Sequence, residues 1–338
     1  MKKSTVAPGR DDDRDGDVAA VEAQGLVKSF GGLRAVDGID LHVPRGQVFG
    51  VLGPNGAGKT TMLRMLATLL RIDGGRASVF GVDVASRPHE IRQLVGVTGQ
   101  YASVDENLTG RENLLLFARL LGLSRAEAVR IAGELLESFG LTDAANRRIK
   151  EFSGGMRRRL DLAASLINRP PLIFLDEPTT GLDPRTRGQM WETIRALVRD
   201  GATVLLTTQY LDEADQLADR IAVIDKGKKV AEGTPDELKA SVGSSTLRVQ
   251  LTDRARSGEA AELIGRVLGD AAVLTPEAGG LNVPLSDPNH AADVLIALRQ
   301  AGLPIASASV RQPTLDEVFL ALTGHHSEPE QGAGQENS

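Results

Sequence analysis

Cysteine is absent from the 338-residue chain, which excludes disulfides, thiolate chemistry and zinc–sulfur sites and fits a reducing compartment. Aromatic residues make up only 3%, and 39 basic residues are outnumbered by 45 acidic ones, giving a formal net charge of −6. Neither base-stacking platforms nor a basic stripe is on offer, so nucleic acid is not an expected partner. The five histidines show no metal-ligand spacing; His325 and His326 are adjacent in a polar tail and read as a solvated pair. No apolar run approaches the roughly 20 residues that a membrane span requires. The most apolar segment, Leu114 to Leu123, is broken by Arg119. No apolar stretch follows Lys2 and Lys3, so a signal peptide is not expected. Any role at a membrane has to come through a partner.

What the chain does carry is the run Gly53-Pro54-Asn55-Gly56-Ala57-Gly58-Lys59-Thr60-Thr61. It follows Val48 to Leu52, which reads as a buried strand, and opens a helix through Met62 to Ala67. Strand, glycine-rich loop and helix N-terminus together form a phosphate cradle. Glycines at 53, 56 and 58 let backbone amides turn toward an anion, and the helix start adds unpaired N–H groups and the positive end of its dipole. Lys59 is placed to bridge β- and γ-phosphates, and the Thr60 hydroxyl to ligate Mg²⁺.

The length suits a sizeable α/β domain and a smaller second one. Residues 1–20, with the acidic run Asp11 to Asp17, and residues 325–338 are expected to be disordered tails. Between them, short strands are predicted at Val21 to Phe30 and Leu33 to Val43. A helical stretch from Arg111 to Phe139 opens on a capping box in which Thr109 bonds forward and Glu112 back. Leu172 to Leu175 and Thr203 to Thr207 read as buried parallel strands, separated by a helix from Arg185 to Asp200. Composition shifts at Ser241-Val242-Gly243-Ser244-Ser245, a linker between a first domain at 21–241 and a second at 245–324. The second is predicted as strand, helix, two strands around Gly279-Gly280, helix, strand and a final helix from Thr314, an order like a small split βαβ sandwich with a regulatory or dimerising role.

Two further motifs carry chemistry. The apolar run ending in Asp176-Glu177 puts two carboxylates at a strand's C-terminal edge, where open α/β sheets bind ligands. There Asp176 can hold Mg²⁺, and Glu177 can orient and deprotonate an attacking water. Ser153-Gly154-Gly155-Met156-Arg157 opens a helix with Ser153 as N-cap, so a hydroxyl and two glycine amides make a second anion site. The same residues also suit plain capping. The neighbouring Arg157–Arg159 cluster reads as a solvated helix face.

With the motif Ser153–Arg157 lying between a P-loop and the Asp176-Glu177 strand, the chain resembles the ATP-binding-cassette ATPases over residues 21–241. The segments Val97 to Asp105, Arg157 to Ala163, Thr207 to Asp215 and Pro313 to Leu320 are similar to those of bacterial daunorubicin-type drug-resistance exporters. The resemblance implies an α/β P-loop cassette with a β-start, a RecA-like core and a helical subdomain, followed by a small C-terminal α+β domain. It implies ATP and Mg²⁺ as cofactors, Phe30 stacking on adenine, Gln100 contacting Mg²⁺ and the γ-phosphate side, and Asp183 communicating across a dimer. Phe30 also fits a strand core, and Asp183 a helix cap before Pro184. Gln209 stands where most cassettes carry histidine; its amide can donate to a γ-phosphate but cannot become cationic. Glu177 is then the principal base, with Lys59 and Gln209 beside it.

The family geometry is a head-to-tail pair in which Ser153 of one copy caps the γ-phosphate held by Lys59 of the other. A single cassette without a span implies a separate integral membrane permease, engaged near Gln100 to Glu112, and a place on the cytoplasmic face of the cell membrane. The expected function is ATP-driven efflux of a hydrophobic drug or related amphiphile. A soluble cassette acting on ribosomes or DNA is the rival class, but it would carry tandem cassettes or a long coiled-coil insertion, and neither occurs in the sequence. A nucleotide-dependent sensor is a third, suggested by Gln209.

Overall fold

The computed structural model describes residues 18–99, 104–243, 245–268, 273–275, 280–285, 287 and 289–324. Most of the two expected tails, Gln100 and the Gly279 turn lie outside the described residues. The chain divides into two compact units, Met1–Glu232 and Gly233–Ser338. The division falls earlier than the linker composition suggested. The helix Pro235–Val242, with Leu238 buried, packs against the last helix, Leu315–Thr323, and so belongs to the second unit.

The first unit runs β1 (Val21–Phe30), β2 (Leu33–Val43), β3 (Val48–Leu52), α1 (Lys59–Leu66), β4 (Gly74–Val79), β5 (Val82–Asp83), α2 (Pro88–Leu94), β6 (Val95–Thr98), α3 (Gly110–Leu120), α4 (Arg125–Ser138), α5 (Gly154–Ser165), β7 (Leu172–Asp176), α6 (Pro184–Arg199), β8 (Thr203–Thr208), α7 (Leu211–Leu217), β9 (Arg220–Asp225) and β10 (Lys228–Gly233). An antiparallel sheet has the order β2-β1-β4-β5, and a six-stranded sheet the order β10-β9-β3-β8-β7-β6, in which β9, β3, β8, β7 and β6 run parallel.

The central strands are apolar throughout because both of their faces are covered. Phe49, Val51, Leu172, Phe174 and Leu205 point into a core shared with the antiparallel sheet and α1. Their neighbours Val48, Ile173, Leu175, Val204 and Leu206 point into a second core with Leu114, Leu136, Leu160 and Ile194 of the helices. Each such fully buried aliphatic or Phe side chain is worth about 1.5–3 kcal/mol. The expected single helical stretch is two helices. Gly122, at φ +86°, ends the first, and Ser124 opens the second with a capping box to Glu127, while Thr109 and Glu112 cap α3 as anticipated.

Register decides where the chemistry falls. Leu52 pairs with Thr208 and Asp176 with Thr207, so β3, β7 and β8 end together. The P-loop, the acidic pair and Gln209 all leave the sheet at that one edge.

The second unit contains α8 (Pro235–Val242), β11 (Ser245–Leu251), α9 (Ser257–Leu268), β12 (Val273–Thr275), β13 (Gly280–Leu285), α10 (His290–Gln300), β14 (Ile305–Arg311) and α11 (Leu315–Thr323). Its antiparallel sheet has the order β12-β13-β11-β14, and α9 packs beside α10. Alternate residues Leu247, Val249, Leu251, Leu281, Val283 and Leu285 meet Ile264, Val294 and Leu298 in one core.

Candidate active site

Asn55 to Thr61, together with Ala35 and Glu177, line a cavity of about 150 Å³. Gly53 and Pro54 are not part of that lining. The Gly53 amide is used by the sheet, donating to the Thr208 carbonyl at 3.2 Å, so it is not one of the amides turned toward an anion. The Ala57 amide is likewise taken by the Pro54 carbonyl at 3.2 Å. What Gly53 and Pro54 supply is their carbonyls, which accept from Lys59 Nζ at 2.7 and 3.0 Å. Gly58 cannot be another residue. Its φ is +105°, and a Cβ there would lie 2.2 Å from the Ala35 carbonyl oxygen.

Lys59 is 4% exposed, and its ammonium lies 3.6 Å from Glu177 Oε1. Burial pulls its pKa below the ordinary lysine value, opposed by the carboxylates of Glu177 and Asp176. Asp176 Oδ1 accepts from Thr60 Oγ1 at 2.8 Å and from Thr207 Oγ1 at 2.7 Å, joining the loop to two strand ends. Glu177 turns away from the strand at φ +49°, a left-handed conformation costing a non-glycine residue about 1–3 kcal/mol. Its amide donates to the Thr207 carbonyl at 3.1 Å and to Thr207 Oγ1 at 3.2 Å. A cation, a hydroxyl and the Glu177 carboxylate therefore line one cavity, with the Asp176 carboxylate bonded to that hydroxyl. That set can grip a polyphosphate, hold a hard cation through oxygen ligands, and accept a proton from water.

Ser153 caps α5, its hydroxyl accepting from the Met156 amide at 3.3 Å. The two glycines after it differ. Around Gly154 nothing lies within 4 Å of a would-be Cβ, whereas at Gly155 a Cβ would meet Thr186 Cγ2 at 2.3 Å, so Gly155 lets α5 pack against the start of α6. The arginine cluster is not a solvated face. Arg157 pairs with Glu106 at 2.7 Å and donates to the Ile149 carbonyl, and Arg159 donates to the Phe139 carbonyl at 3.1 Å. Arg158 is half-buried and donates to the carbonyls of Asp176 (2.7 Å), Glu177 (2.9 Å), Pro178 (3.1 Å) and Gly99. Burial lowers its pKa, while Asp161, Asp176, Glu213 and Glu177 favour its charge.

Asp183 caps α6, accepting from the Thr186 amide at 3.0 Å and the Thr186 hydroxyl at 2.6 Å. Those bonds hold its pKa below the usual carboxylate value. Gln209 is half-buried in the bend after β8, which the Tyr210 amide closes by donating to Thr208 Oγ1 at 3.0 Å. Phe30 is 49% exposed at the end of β1, with Lys28 Nζ 5.5 Å from its ring centre, so it is not a core residue. Gln100 lies outside the described residues, one position past Gly99.

Residues 36–180 match the ABC transporter family, and residues 233–323 match a family described as the C-terminal domain of DrrA1-3-like ATP-binding proteins. The daunorubicin/doxorubicin resistance ATP-binding protein DrrA of Streptomyces peucetius is 58% identical over 306 residues, covering 90% of this chain and 93% of that protein. The chain belongs to the ATP-binding-cassette family. A Rhizobium Nod factor export ATP-binding protein I is 39% identical to this cassette, over 91% of this chain and 98% of its own length. Among solved structures, a dimeric post-hydrolysis cassette bound to ADP and Pi superposes with a TM-score of 0.59 at 25% identity, covering 63% of this chain and 98% of that one. The cassette is thus the ATP-binding, ATP-hydrolysing subunit of an exporter of this family. Among its described residues, no helix is long and apolar enough to cross a membrane.

Thr207, Arg158 and Glu213 were missed in the sequence reading. Glu213 is fully buried on α7, where Oε1 accepts from Thr179 Oγ1 at 2.8 Å and Trp191 Nε1 at 3.3 Å, and burial raises its pKa. A signal was available. Glu213 sits one turn before Leu217 and next to Ala214 on a helix of just under two turns, so it falls on the face that packs inward.

Proposed function

We propose that the cassette hydrolyses ATP as a head-to-tail pair of copies and delivers the resulting motion to an integral membrane permease that expels a hydrophobic drug or related amphiphile. The observation that carries this reading is the convergence of Lys59, Thr60 and Glu177 on one cavity at the sheet edge, with Asp176 bonded to Thr60 beside it.

A cavity of about 150 Å³ takes a phosphate tail rather than a whole nucleotide. The base then lies outside it, and the exposed ring of Phe30 offers an apolar face for adenine. Amides and side chains of Asn55, Gly56 and Gly58 to Thr61 cradle the phosphates, with Gly53 and Pro54 setting the loop's frame. Lys59 bonds the β- and γ-phosphate oxygens. These oxygens compete with Glu177 for the Lys59 ammonium, so gripping the triphosphate frees the Glu177 carboxylate to orient water and take its proton. Gln209 donates an amide hydrogen toward the γ-phosphate. The hydroxyl of Thr60 and the carboxylate of Asp176 are hard oxygen donors of the type Mg²⁺ prefers, and they with Gln100 would hold that ion. When bound, Mg²⁺ neutralises charge on the β- and γ-phosphate oxygens.

Ser153, Gly154 and Gly155 at the start of α5 supply the second anion grip, presented to the triphosphate of the other copy, with Asp183 near the junction of the two copies. Loss of the γ-phosphate removes the charge that both surfaces share, which favours opening. The permease places the cassette on the cytoplasmic face of the cell membrane. Relatives are named for daunorubicin/doxorubicin resistance and for Nod factor export, which supports a cargo chosen by the permease and not by the cassette.

Complementation tests the shared site. Lys59→Ala and Ser153→Arg chains should each lack turnover, and mixing them should restore it, because the mixed pair retains one site with an intact Lys59 facing an intact Ser153. No recovery on mixing would refute the shared site. Co-purification with ribosomes, and not with a membrane protein, would refute the exporter role.

A further inference from the structure

We infer that Arg158 is a positioning residue for hydrolysis: its guanidinium fixes the backbone that aims Glu177 and ties that backbone to α5 and to the end of β6. The inference rests on the proposed role of Glu177 as base and extends it to a residue that touches no substrate.

Strand β7 ends at Asp176, and just beyond it the backbone turns through the left-handed region at Glu177. The carbonyls of Asp176, Glu177 and Pro178 accept from Arg158 Nη2, Nη2 and Nε at 2.7, 2.9 and 3.1 Å, and Nη1 reaches Gly99. One planar fork thus meets four carbonyls from two segments, which a lysine's single nitrogen cannot reproduce. From the opposite side, Thr207 holds the Glu177 amide through its carbonyl and hydroxyl. Glu177 is clamped at its N–H by β8 and at its C=O by α5, and this two-sided grip sets the direction of its side chain.

The three consecutive arginines divide the work. Arg157 and Arg159 bind the helical region, through Glu106, Ile149 and Phe139, while Arg158 bonds the backbone from Asp176 to Pro178. Ser153 lies five residues before Arg158 at the cap of the same helix. A shift of α5 on engaging the other copy's nucleotide therefore moves the grip on this copy's Glu177.

The test is steady-state ATPase kinetics on the full chain with Arg158→Met and Arg158→Lys, alongside binding of a fluorescent ATP analogue. In Arg158→Met, kcat should fall about 100-fold, the scale of loss for a group displaced by about 1 Å. Affinity for the analogue should stay within about threefold, as the phosphate loop is untouched. Arg158→Lys should recover part of kcat. Combined with Glu177→Gln, Arg158→Met should add no further loss, since it acts through that carboxylate. Parental kcat in both Arg158 variants, a loss of affinity matching the loss of kcat, or an additive double variant would each overturn the inference. Should Arg158→Met not fold, the kcat, affinity and double-variant comparisons with Arg158→Lys still decide it. Parental turnover in Glu177→Gln alone would instead overturn the base assignment, which separates the two failures.

Discussion

The two units spend burial differently. Among the described residues, twelve of the thirteen buried polar or charged side chains, from Lys28 to Glu213, lie in the first unit, and Ser257 alone lies in the second. The second unit's core is aliphatic and alternates along its strands, the pattern of a sheet with one face covered. In the first unit, Lys59, Asp176, Glu177 and Glu213 are taken out of water close to the sheet edge, where each must find partners or shift its pKa. Among the described residues, four of the six buried charged side chains gather near this edge and none lies in the second unit.

That contrast is breakable. Glu177→Gln should lower kcat by about 10³-fold, within the range for general-base removal, with ATP affinity little changed. Gln209→Ala should cost far less. The reverse ranking would move the base away from Glu177.

Next in size, Leu247→Ala in the second unit should destabilise that unit by about 2–5 kcal/mol, through lost burial and the cavity left behind. Calorimetry should show its transition shifted, and titration should show ATP affinity unchanged. Affinity falling in step with stability would mean that the second unit is part of the site.

Lys59 gives a pH signature. Because burial lowers its pKa, the ammonium loses its proton earlier than an ordinary lysine as pH rises. In that window ATP affinity should fall. The stability of the nucleotide-free protein should rise, as a buried charge is relieved. Isothermal titration and melting across the alkaline range read the two opposite slopes, and Lys59→Arg should flatten both.

The smallest effect is expected at Glu213. Its pKa is raised by burial, so its stabilising contribution is complete below the unfolded carboxylate value and is lost as pH rises through the folded one. Glu213→Gln retains an acceptor for Thr179 and Trp191 without the charge. It should raise the melting midpoint at pH 8 by roughly 2–4 °C, the shift that about 1 kcal/mol gives, and the gain should vanish in acid. A lowered midpoint at pH 8 would mean that the charge itself is needed.

Much of this was legible beforehand where the information is local. The apolar strands, the Thr109–Glu112 capping box, the Ser153 cap and the loop from Gly53 to Thr61 each depend on residues within a few positions of one another. The misreadings were non-local. Gly53 looked like an anion-binding amide until Thr208 claimed it, and Arg158 looked solvated until it met carbonyls as far away as Gly99, 59 positions earlier. The domain boundary was placed by composition at 241–245, but the packing of α8 against α11 sets it at 232–233.

By itself the sequence determined which chemical groups exist and which short segments hold them, because propensity, capping and periodicity act over one or two turns. Only the tertiary structure decided which groups meet. Parallel register brings Thr60 within 2.8 Å of Asp176 across 116 positions, and strand pairing at that separation is fixed by the burial of both sheet faces, which no local pattern encodes.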